Sequence, residues 1–483
     1  IITKKRIIKS NKEIPFFLAL FPLLSLITLL AINVLLYGDE SLSGPNQIAL
    51  LLATSIAASI GVYNGKSWGS ILKGISSSIS STSSAIIILL LIGALTGTWL
   101  ISGIVPAMIY YGLKILNPEI FLFASCIICA IVSLASGSSW STIATIGIAL
   151  LGIGNVLGIS EGLIAGSIIS GAYFGDKLSP LSDTTNLAAA MSGTNLFTHI
   201  KYMMYTTIPS YTITLIIFFL IGISLEITSN QNINELLLSL DYTFNINLWL
   251  FLVPLTVIIL IIKKIPAIPA LLAGTLLGGA FAIIFQPQLI NEISQASILN
   301  IKTYYLVIMN AMASEINIVT DNDLMNNLLS SSGMKGMLPT VWLVICAMSF
   351  GGAMQESGLL KRISDPIMLY AKKTGSLIAT TSATCFFFNI TTSDQYLSIV
   401  VPGKMFEKTF KDKGLAPENL SRTLEDSGTV TSVLIPWNTC GAAQSAVLGV
   451  ATLAYLPFCF FNLISPVMTL LYGYLNIKIK KIN

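Results

Sequence analysis

The chain has 483 residues, of which 54% are hydrophobic and only 10% are charged, and its formal net charge is +4. Because soluble domains carry roughly 25% charged residues, this composition excludes a soluble globular protein and predicts an integral membrane protein. A net charge of +4 says little about the substrate, and we predict no nucleic-acid partner.

Apolar runs long enough to cross a bilayer recur along the whole chain. In the first half they cover residues 14–37, 47–63, 85–100, 121–135 and 202–224, with a less apolar zone at 140–186. In the second half they cover residues 248–262, 267–285, 339–354, 375–391 and 447–472. Together these runs predict an all-α membrane protein with about 10 to 12 transmembrane segments, some of them broken or re-entrant.

Polar segments divide these runs. Residues 225–247 are rich in Asn, Glu and Asp and are predicted to link a first half, residues 1–224, to a second half, residues 248–483. Residues 286–335 are mixed and Asn-rich, which is typical of an amphipathic or extramembrane insert. The serine run at 76–84 is either a hairpin tip near the substrate or, as we favour, a flexible or amphipathic connector.

Basic residues flank the first and the last apolar run. They are Lys4, Lys5, Arg6, Lys9 and Lys12 before the first run, and Lys478, Lys480 and Lys481 after the last one. Because the cytoplasmic flanks of membrane proteins are enriched in Lys and Arg, both termini are predicted to be cytoplasmic.

Four short matches in the same order relate the two halves. Residues 97–103 (GTWLISG) match 352–358 (GAMQESG), residues 106–110 (PAMIY) match 366–370 (PIMLY), residues 136–140 (SGSSW) align with 392–396 (TSDQY), and Pro180 aligns with Pro436. Colinear matches predict an internal duplication. The basic cluster precedes the first run of the first half but follows the first run of the second half, at Lys263 and Lys264. The repeats are therefore predicted to be inverted, as in secondary transporters.

Small, hydroxyl and proline residues interrupt the apolar sequence at four places, two in each half. These breaks cover residues 136–142, 171–186, 391–396 and 425–439. A broken helix exposes unpaired backbone N–H groups and carbonyls, which hold anions and cations respectively. The four breaks are therefore predicted to converge on one binding site near the bilayer midplane.

The breaks are rich in carboxylate, hydroxyl and amide oxygens, which are the ligands that a hard cation such as Na⁺ requires. In the first half the candidate ligands are Ser138, Ser139, Thr142, Asp176, Ser179, Ser182, Asp183, Thr184, Thr185 and Asn186. In the second half they are Asp394, Asp426, Thr431, Asn438 and Thr439. Na⁺ itself is predicted at Asp183, Asn438 and Thr439. If the 171–186 stretch is instead a solvated loop, its polar residues are ordinary turn residues.

The two carboxylates of the 171–186 stretch are predicted to have different roles. Burial favours the protonated form of a carboxyl group and a bound cation favours the ionised form, so one carboxylate can carry either H⁺ or Na⁺. We predict Asp183 as this exchanging ligand, with Asp394 as a second candidate. Asp176 is predicted to form an ion pair with its neighbour Lys177.

Three long motifs resemble the NhaC-type Na⁺/H⁺ antiporters: GAYFGDKLSPLSDTTNLA from residue 171, TSDQYLSIVVPG from residue 392, and LAPENLSRTLEDSGTVTSVLIPWNTCGA from residue 415. The resemblance covers essentially the whole chain. It implies a multi-pass protein of the bacterial inner membrane that exchanges Na⁺ for H⁺ and needs no cofactor. It also implies an elevator mechanism, with a fixed scaffold, a transport domain formed by residues 125–200 and 375–450, and a homodimer.

Several other functions compete with Na⁺/H⁺ exchange. The same family includes antiporters of malate and lactate coupled to Na⁺ and H⁺. The many hydroxyl groups at the breaks favour such carboxylate substrates, whereas the lack of a clear unpaired Arg disfavours them. An intramembrane enzyme is disfavoured because the single histidine, His199, has no catalytic partner at a recognisable spacing. The sequence has no phosphate-loop motif for ATP, and paired breaks fit alternating access better than a passive channel.

Overall fold

The computed structural model describes residues 14–37, 41, 43–225, 230–295, 300–318, 326, 329–368, 370 and 372–482. The basic residues from Lys4 to Lys12 lie outside this part of the chain. Within it the regular structure is almost entirely helical. Two short strands, β1 (Ile316–Asn317) and β2 (Ser330–Ser331), pair antiparallel, with Ile316 opposite Ser331.

The helices of the first half alternate long apolar segments with short pieces at the breaks. In the described residues they are α1 (Phe16–Tyr37), α2 (Pro45–Tyr63), α3 (Trp68–Ser81), α4 (Ser83–Ile101), α5 (Ile104–Ile115), α6 (Phe121–Ser136), α7 (Ser139–Thr142), α8 (Ile148–Val156), α9 (Glu161–Leu178), α10 (Asp183–Ser192) and α11 (Leu196–Ser224). A π turn, Ile143–Gly147, joins α7 to α8, and a 3₁₀ turn, Pro118–Ile120, precedes α6.

The described chain beyond residue 225 is also helical. Its described helices are α12 (Asn230–Thr243), α13 (Leu252–Ile262), α14 (Ala267–Phe285), α15 (Pro287–Ser294), α16 (Ile301–Ala313), α17 (Gly333–Gly336), α18 (Leu338–Glu356), α19 (Leu359–Met368), α20 (Thr374–Thr391), α21 (Leu397–Asp412), α22 (Pro417–Leu424), α23 (Thr439–Leu448), α24 (Thr452–Tyr455) and α25 (Phe460–Tyr474). A π turn, Glu425–Thr429, continues α22, and 3₁₀ turns occur at Leu248–Phe251, Ser432–Leu434 and Leu456–Phe458.

Eight helical segments of the described chain are long and apolar enough to cross a membrane, and counting two sharply bent helix pairs as single spans raises the number to ten. The bent pairs turn by 84° (Glu235–Thr243 with Leu248–Ile262) and by 90° (Thr439–Leu448 with Thr452–Phe458). A helical, multi-pass membrane protein is thereby confirmed, at the lower end of the predicted range of about 10 to 12 segments.

The single span predicted at residues 447–472 is wrong. α23 ends at Leu448, Gly449 follows with a φ of 68°, and the chain turns through α24 before α25 begins at Phe460. A glycine in the left-handed conformation ends a helix because its N–H group can turn back to satisfy the last carbonyls. Apolar composition alone does not reveal such a turn.

Two segments predicted as a linker and an insert contain packed helices. In the 225–247 segment, α12 buries Leu236 and Leu240 in the main hydrophobic core. In the 286–335 segment, α16 buries Ala311, whose backbone lies against Gly97 of α4. Both segments therefore contribute to the folded bundle.

The early helices of each half pack against a later helix of the other half. α2 and α3 pack on α18, and α14 and α16 pack on α4. Glycines permit these close approaches, since a Cβ atom at Gly61 would overlap Ser357, and one at Gly278 would overlap Thr98 and Trp99. Small residues serve the same purpose at helix contacts in membrane proteins generally.

Left-handed backbone positions recur in the two halves at a nearly constant separation. Residues 137 and 393 have φ values of 69° and 59°, residues 193 and 449 have 75° and 68°, and residues 103 and 358 have 78° and 76°. The first two pairs are 256 residues apart and the third pair is 255 residues apart. Each position lies one or two residues beyond the end of a helix.

Candidate functional site

Four helix breaks border one cavity of about 720 Å³. The breaks lie between α6 and α7, between α9 and α10, between α20 and α21, and between the 3₁₀ turn Ser432–Leu434 and α23. The turn between α3 and α4 and the loop between α13 and α14 complete the wall. The charged, hydroxyl and amide residues that line it are Ser81, Thr82, Ser84, Ser136, Ser138, Ser141, Asp176, Ser182, Asp183, Thr184, Lys264, Asp394, Gln395, Tyr396 and Thr439.

A side chain caps the helix that follows each break. In the first half, the Ser141 N–H group donates to the Ser138 hydroxyl at 3.2 Å, and the Thr185 N–H group donates to the Ser182 hydroxyl at 3.5 Å. In the second half, the Leu397 N–H group donates to the Asp394 carboxylate at 2.8 Å, and the Cys440 N–H group donates to the Asn438 amide oxygen at 3.0 Å. Ser, Asp and Asn are the side chains that best satisfy the free N–H groups of a helix start. Capping therefore explains part of the polar composition of the breaks before any ligand is considered.

Three carboxylates from three different segments line the cavity. Asp176, on α9, is 8% exposed and accepts hydrogen bonds from the Ser139 N–H group at 3.0 Å and the Ser139 hydroxyl at 2.7 Å. Asp394 is 4% exposed, whereas Asp183, the first residue of α10, is exposed. Ser139 and Asp394 both belong to helix starts, whose partial positive charge stabilises a nearby carboxylate.

Lys264 is the one basic side chain of the described residues that lines the cavity. It lies in the turn between α13 and α14, and it is exposed. With three carboxylates against one ammonium group, the wall carries an excess of negative charge when all four groups are ionised. Such a wall attracts cations more strongly than anions.

Seven of the predicted ligands line the cavity and eight do not. The seven are Ser138, Asp176, Ser182, Asp183, Thr184, Asp394 and Thr439. The eight others are Ser139, Thr142, Ser179, Thr185, Asn186, Asp426, Thr431 and Asn438. Several of these eight support the backbone of the breaks: the Thr185 hydroxyl donates to the Lys177 carbonyl at 2.9 Å, and the Asn186 amide donates to the Pro180 carbonyl at 3.0 Å.

Two of the three residues predicted to hold Na⁺ line the cavity, and the third does not. Asp183 and Thr439 line the cavity. Asn438 instead donates from its amide to the Asn389 carbonyl at 3.0 Å, while its oxygen caps α23. The Asn389 amide in turn donates to the Thr431 hydroxyl at 2.9 Å. Asn438 and Thr431 therefore hold the second-half breaks together and do not face the cavity.

The predicted ion pair between Asp176 and Lys177 is wrong. Lys177 is fully buried and pairs with Asp426, 249 residues away in the chain, and its ammonium group also donates to the Ser465 hydroxyl at 2.9 Å. Successive side chains of an α-helix point about 100° apart, so neighbours face different surroundings. Asp176 faces the cavity, and Lys177 faces the second half.

Asp426 is the centre of a buried polar cluster that joins the two halves. Besides its ion pair, it accepts hydrogen bonds from the hydroxyl groups of Thr206 at 2.7 Å, Ser465 at 3.3 Å and Thr469. Buried carboxylates are stable only when they are paired and hydrogen-bonded in this way. The predicted ion ligand Asp426 is thus a partner of Lys177, and these donors satisfy it without an added ion.

Sequence reasoning missed several residues of this region. Glu425 is fully buried beside Asp426 and was not singled out by any spacing rule. Lys264 was recognised only as an orientation signal. The serine run 76–84, for which we favour a connector, covers the end of α3, the turn at Thr82 and the start of α4, and Ser81, Thr82 and Ser84 line the cavity. The alignment of residues 136–140 with 392–396 contains one signal for the cavity wall: it pairs the aromatic residues Trp140 and Tyr396, and both line the cavity.

A family model described as the Na⁺/H⁺ antiporter family matches residues 171–477, which is more than half of the chain. The chain belongs to the Na⁺/H⁺ antiporter family. The matched range contains three of the four helix breaks and all three cavity carboxylates.

Relatives of this antiporter-family protein match it over nearly its full length. It is 38% identical over 435 residues to the Na⁺/H⁺ antiporter NhaC of Alkalihalophilus pseudofirmus, covering 90% of this chain and 91% of the relative. It is 37% identical over 432 residues to the malate-2H⁺/Na⁺-lactate antiporter of Bacillus subtilis, covering 89% of each. It is 35% identical over 432 residues to the Na⁺/H⁺ antiporter NhaC of Bacillus subtilis, covering 89% and 92%. The resemblance to NhaC-type antiporters is confirmed.

Proposed function

We propose that this protein is a secondary active antiporter that exchanges Na⁺ for H⁺ across the bacterial inner membrane by alternating access, with both termini in the cytoplasm. The observation that carries the proposal is the cavity lined by Asp176, Asp183 and Asp394, from three broken segments, with Lys264 as its one basic side chain among the described residues. Relatives named as Na⁺/H⁺ antiporters, at 38% and 35% identity, support it.

The cavity has the chemistry for competition between Na⁺ and H⁺. Carboxylate and hydroxyl oxygens bind a hard cation, and the same carboxylates bind protons. We assign Asp183 as the exchanging ligand because it is the exposed member of the three and can exchange its ion with water. Thr439, which lines the same cavity, supplies a neighbouring hydroxyl oxygen, and Asn438 supports it by capping α23.

We further propose that residues 1–224 and 248–483 are inverted repeats joined by residues 225–247. The constant spacing of the left-handed positions and the crossed packing of early helices on α4 and α18 support this arrangement. Residues 125–200 and 375–450 then form a transport domain that moves as an elevator. The early helices of each half form the scaffold and the contacts of a homodimer.

The cavity is proposed to face the cytoplasm in this structure. Lys264 lines it, and Lys263 and Lys264 form the basic turn after the first span of the second half. Lys and Arg are enriched in the cytoplasmic turns of membrane proteins. The structure then corresponds to the state that exchanges ions with the cytoplasm.

Exchange of small carboxylates coupled to Na⁺ and H⁺ is the second candidate. Lys264 and the helix starts at the breaks offer positive charge to a carboxylate substrate. One relative, 37% identical, is named a malate-2H⁺/Na⁺-lactate antiporter. The three cavity carboxylates count against this candidate, because an organic anion beside them requires bound Na⁺ or H⁺ to offset their charge.

Transport measurements in liposomes distinguish the two candidates. The purified protein is reconstituted with a trapped pH indicator, and internal pH is followed after addition of Na⁺, Li⁺ or K⁺, with and without malate and lactate. Alkalinisation driven by Na⁺ in the absence of organic acid is the result expected for Na⁺/H⁺ exchange. A strict requirement for malate or lactate refutes that function and favours the second candidate.

A further inference from the structure

Next to the ion pair between the halves, Glu425 is a fully buried carboxyl group that the proposed exchange does not yet use. It is the first residue of the π turn Glu425–Thr429 that continues α22. Among the described residues, neither carboxyl oxygen of Glu425 has a hydrogen-bond partner. The polar group that faces the carboxyl group is the hydroxyl of Thr429, one helical turn further along the chain. π turns within helices are frequent at functional sites.

Charged groups surround Glu425 without neutralising it. Lys177 and Asp176, both on α9, interact electrostatically with the Glu425 carboxyl group, and so does Asp426 of the same π turn. Lys177 is already paired with Asp426, so no counter-charge is left for a second carboxylate. On α11, His199 faces the Lys177–Asp426 pair, and both of its ring nitrogens lack a hydrogen-bond partner in the described chain.

Two further helices packed on the π turn, α20 and α25, bring neutral groups to it. Ser382 of α20 shares a 2.7 Å hydrogen bond with Ser427 of the turn, and Ser465 of α25 donates to Asp426. Arg422, on α22, is directed elsewhere, since its guanidinium lies 4.7 Å from the centre of the Tyr202 ring. The charges that govern Glu425 are therefore Lys177, Asp176 and Asp426, with His199 behind them.

This setting favours a carboxyl group that carries a proton. An ionised carboxylate in a water-free interior without a counter-charge or hydrogen bonds is strongly unfavourable. The protonated group is neutral and avoids that penalty. Asp176 lines the ion cavity and also interacts electrostatically with Glu425. A change in the charge of Asp176 therefore changes the electrostatic potential at the buried Glu425 carboxyl group. Ionisable residues within membrane proteins are rare and mark ion pathways and proton relays.

We propose that Glu425 is a second proton-carrying group of the transport cycle, coupled to Na⁺ binding in the cavity through Asp176 and the Lys177–Asp426 pair. The proposal rests on the proposed Na⁺/H⁺ exchange. The proton leaves Glu425 as H⁺ for the water of the cavity, and no other bond changes. The carboxylate then adds one negative charge to the buried cluster, and Na⁺ bound at the cavity carboxylates offsets it. When Na⁺ leaves, a proton returns to Glu425.

Two substitutions separate a proton carrier from a group that only fills space. Glu425→Gln reproduces the size and neutrality of the protonated group but cannot release a proton, whereas Glu425→Asp keeps an acid and shortens the side chain. Binding of radioactive Na⁺ and the protons released per Na⁺ bound are measured in detergent with a pH indicator. We expect Glu425→Gln to bind Na⁺ and to release about one proton fewer than the wild type, as expected when one linked site is lost. Glu425→Asp is expected to release more protons than Glu425→Gln.

The opposite results overturn the proposal. They are a wild-type proton count in Glu425→Gln, or a count in Glu425→Gln that equals or exceeds that of Glu425→Asp. Ser427→Ala is the matched control, because it changes the same π turn without removing an acid, and its proton count should equal that of the wild type. If Glu425→Gln does not fold, the pH profile of proton release by Glu425→Asp decides, and a profile that coincides with the wild type refutes the role.

The wild type in liposomes tests the proposed exchange separately. If the wild type moves no protons in response to Na⁺, the proposed exchange fails, and proton release in detergent still tests Glu425. If the wild type exchanges Na⁺ for H⁺ and Glu425→Gln releases the same number of protons, only the assignment of Glu425 fails.

Discussion

The buried ion pair between Lys177 and Asp426 predicts an ordered loss of stability in its variants. In Asp426→Asn, the Lys177 ammonium loses its counter-charge and keeps two neutral acceptors, the new amide oxygen and the Ser465 hydroxyl. In Lys177→Met, Asp426 keeps three hydroxyl donors, from Thr206, Ser465 and Thr469. A lone buried charge is stabilised by the hydrogen-bonding dipoles that remain around it. Because Lys177 keeps two such groups and Asp426 keeps three, Asp426→Asn is expected to be less stable than Lys177→Met.

Breaking a buried pair by removing one partner costs about 3–5 kcal/mol. Hydrogen bonds to a charged group contribute about 1.5–3 kcal/mol each, so the donors that remain around Asp426 bring Lys177→Met to the lower end of that range. Removing both charges leaves no lone ion in the interior. The double variant Lys177→Met/Asp426→Asn is therefore expected to be more stable than Asp426→Asn alone, with a coupling energy of about 2 kcal/mol.

Thermal unfolding of the purified proteins in detergent, followed by tryptophan fluorescence, measures this order. The matched control is Lys480→Met, which breaks the pair of Lys480 with Glu418 at 2.5 Å. The Lys480 side chain is 52% exposed, so its loss should change stability far less than the loss of either partner of the buried pair. Wild-type stability in Asp426→Asn, or a double variant whose destabilisation is the sum of the two single effects, would refute the role given to this pair.

Three further predictions concern the cavity. Asp183→Asn should abolish Na⁺-driven proton movement in liposomes while the protein still folds, and retained wild-type exchange would remove Asp183 from the role of exchanging ligand. Lys264→Gln should leave Na⁺/H⁺ exchange intact and strengthen Na⁺ binding by up to about fivefold, because a unit charge near water contributes about 1 kcal/mol. A collapse of transport that depends on malate or lactate in the same variant would instead support the carboxylate function. Ser138→Ala should lower stability by about 1 kcal/mol through loss of the cap on α7, and an unchanged unfolding temperature would contradict the capping assignment.

Local sequence signals located the helix breaks well. Residues 136–140 contain a helix end, a left-handed residue and a new helix start. Residues 392–396, aligned with them from the sequence, lie between the end of α20 and the start of α21 and also contain a left-handed residue. Pro180 and Pro436 likewise lie within the two other breaks. Such positions are predictable because Gly, Pro and capping residues act on the backbone within a few residues of themselves. The turn after Gly449 is not predicted because its flanking sequence is mostly apolar and the run is long enough to cross a membrane.

The sequence by itself determined that this is a helical membrane protein with paired breaks, and its long motifs identified the Na⁺/H⁺ antiporter family. Only the tertiary structure decided which polar side chains face the cavity, because each helical residue is turned by about 100° from its neighbour and the direction of the cavity is set by distant helices. It also decided the partner of Lys177, since Asp426 lies 249 residues away and the adjacent Asp176 points elsewhere. The burial of Glu425 beside a Lys177 that is already paired with Asp426 likewise arises only when the two halves pack together.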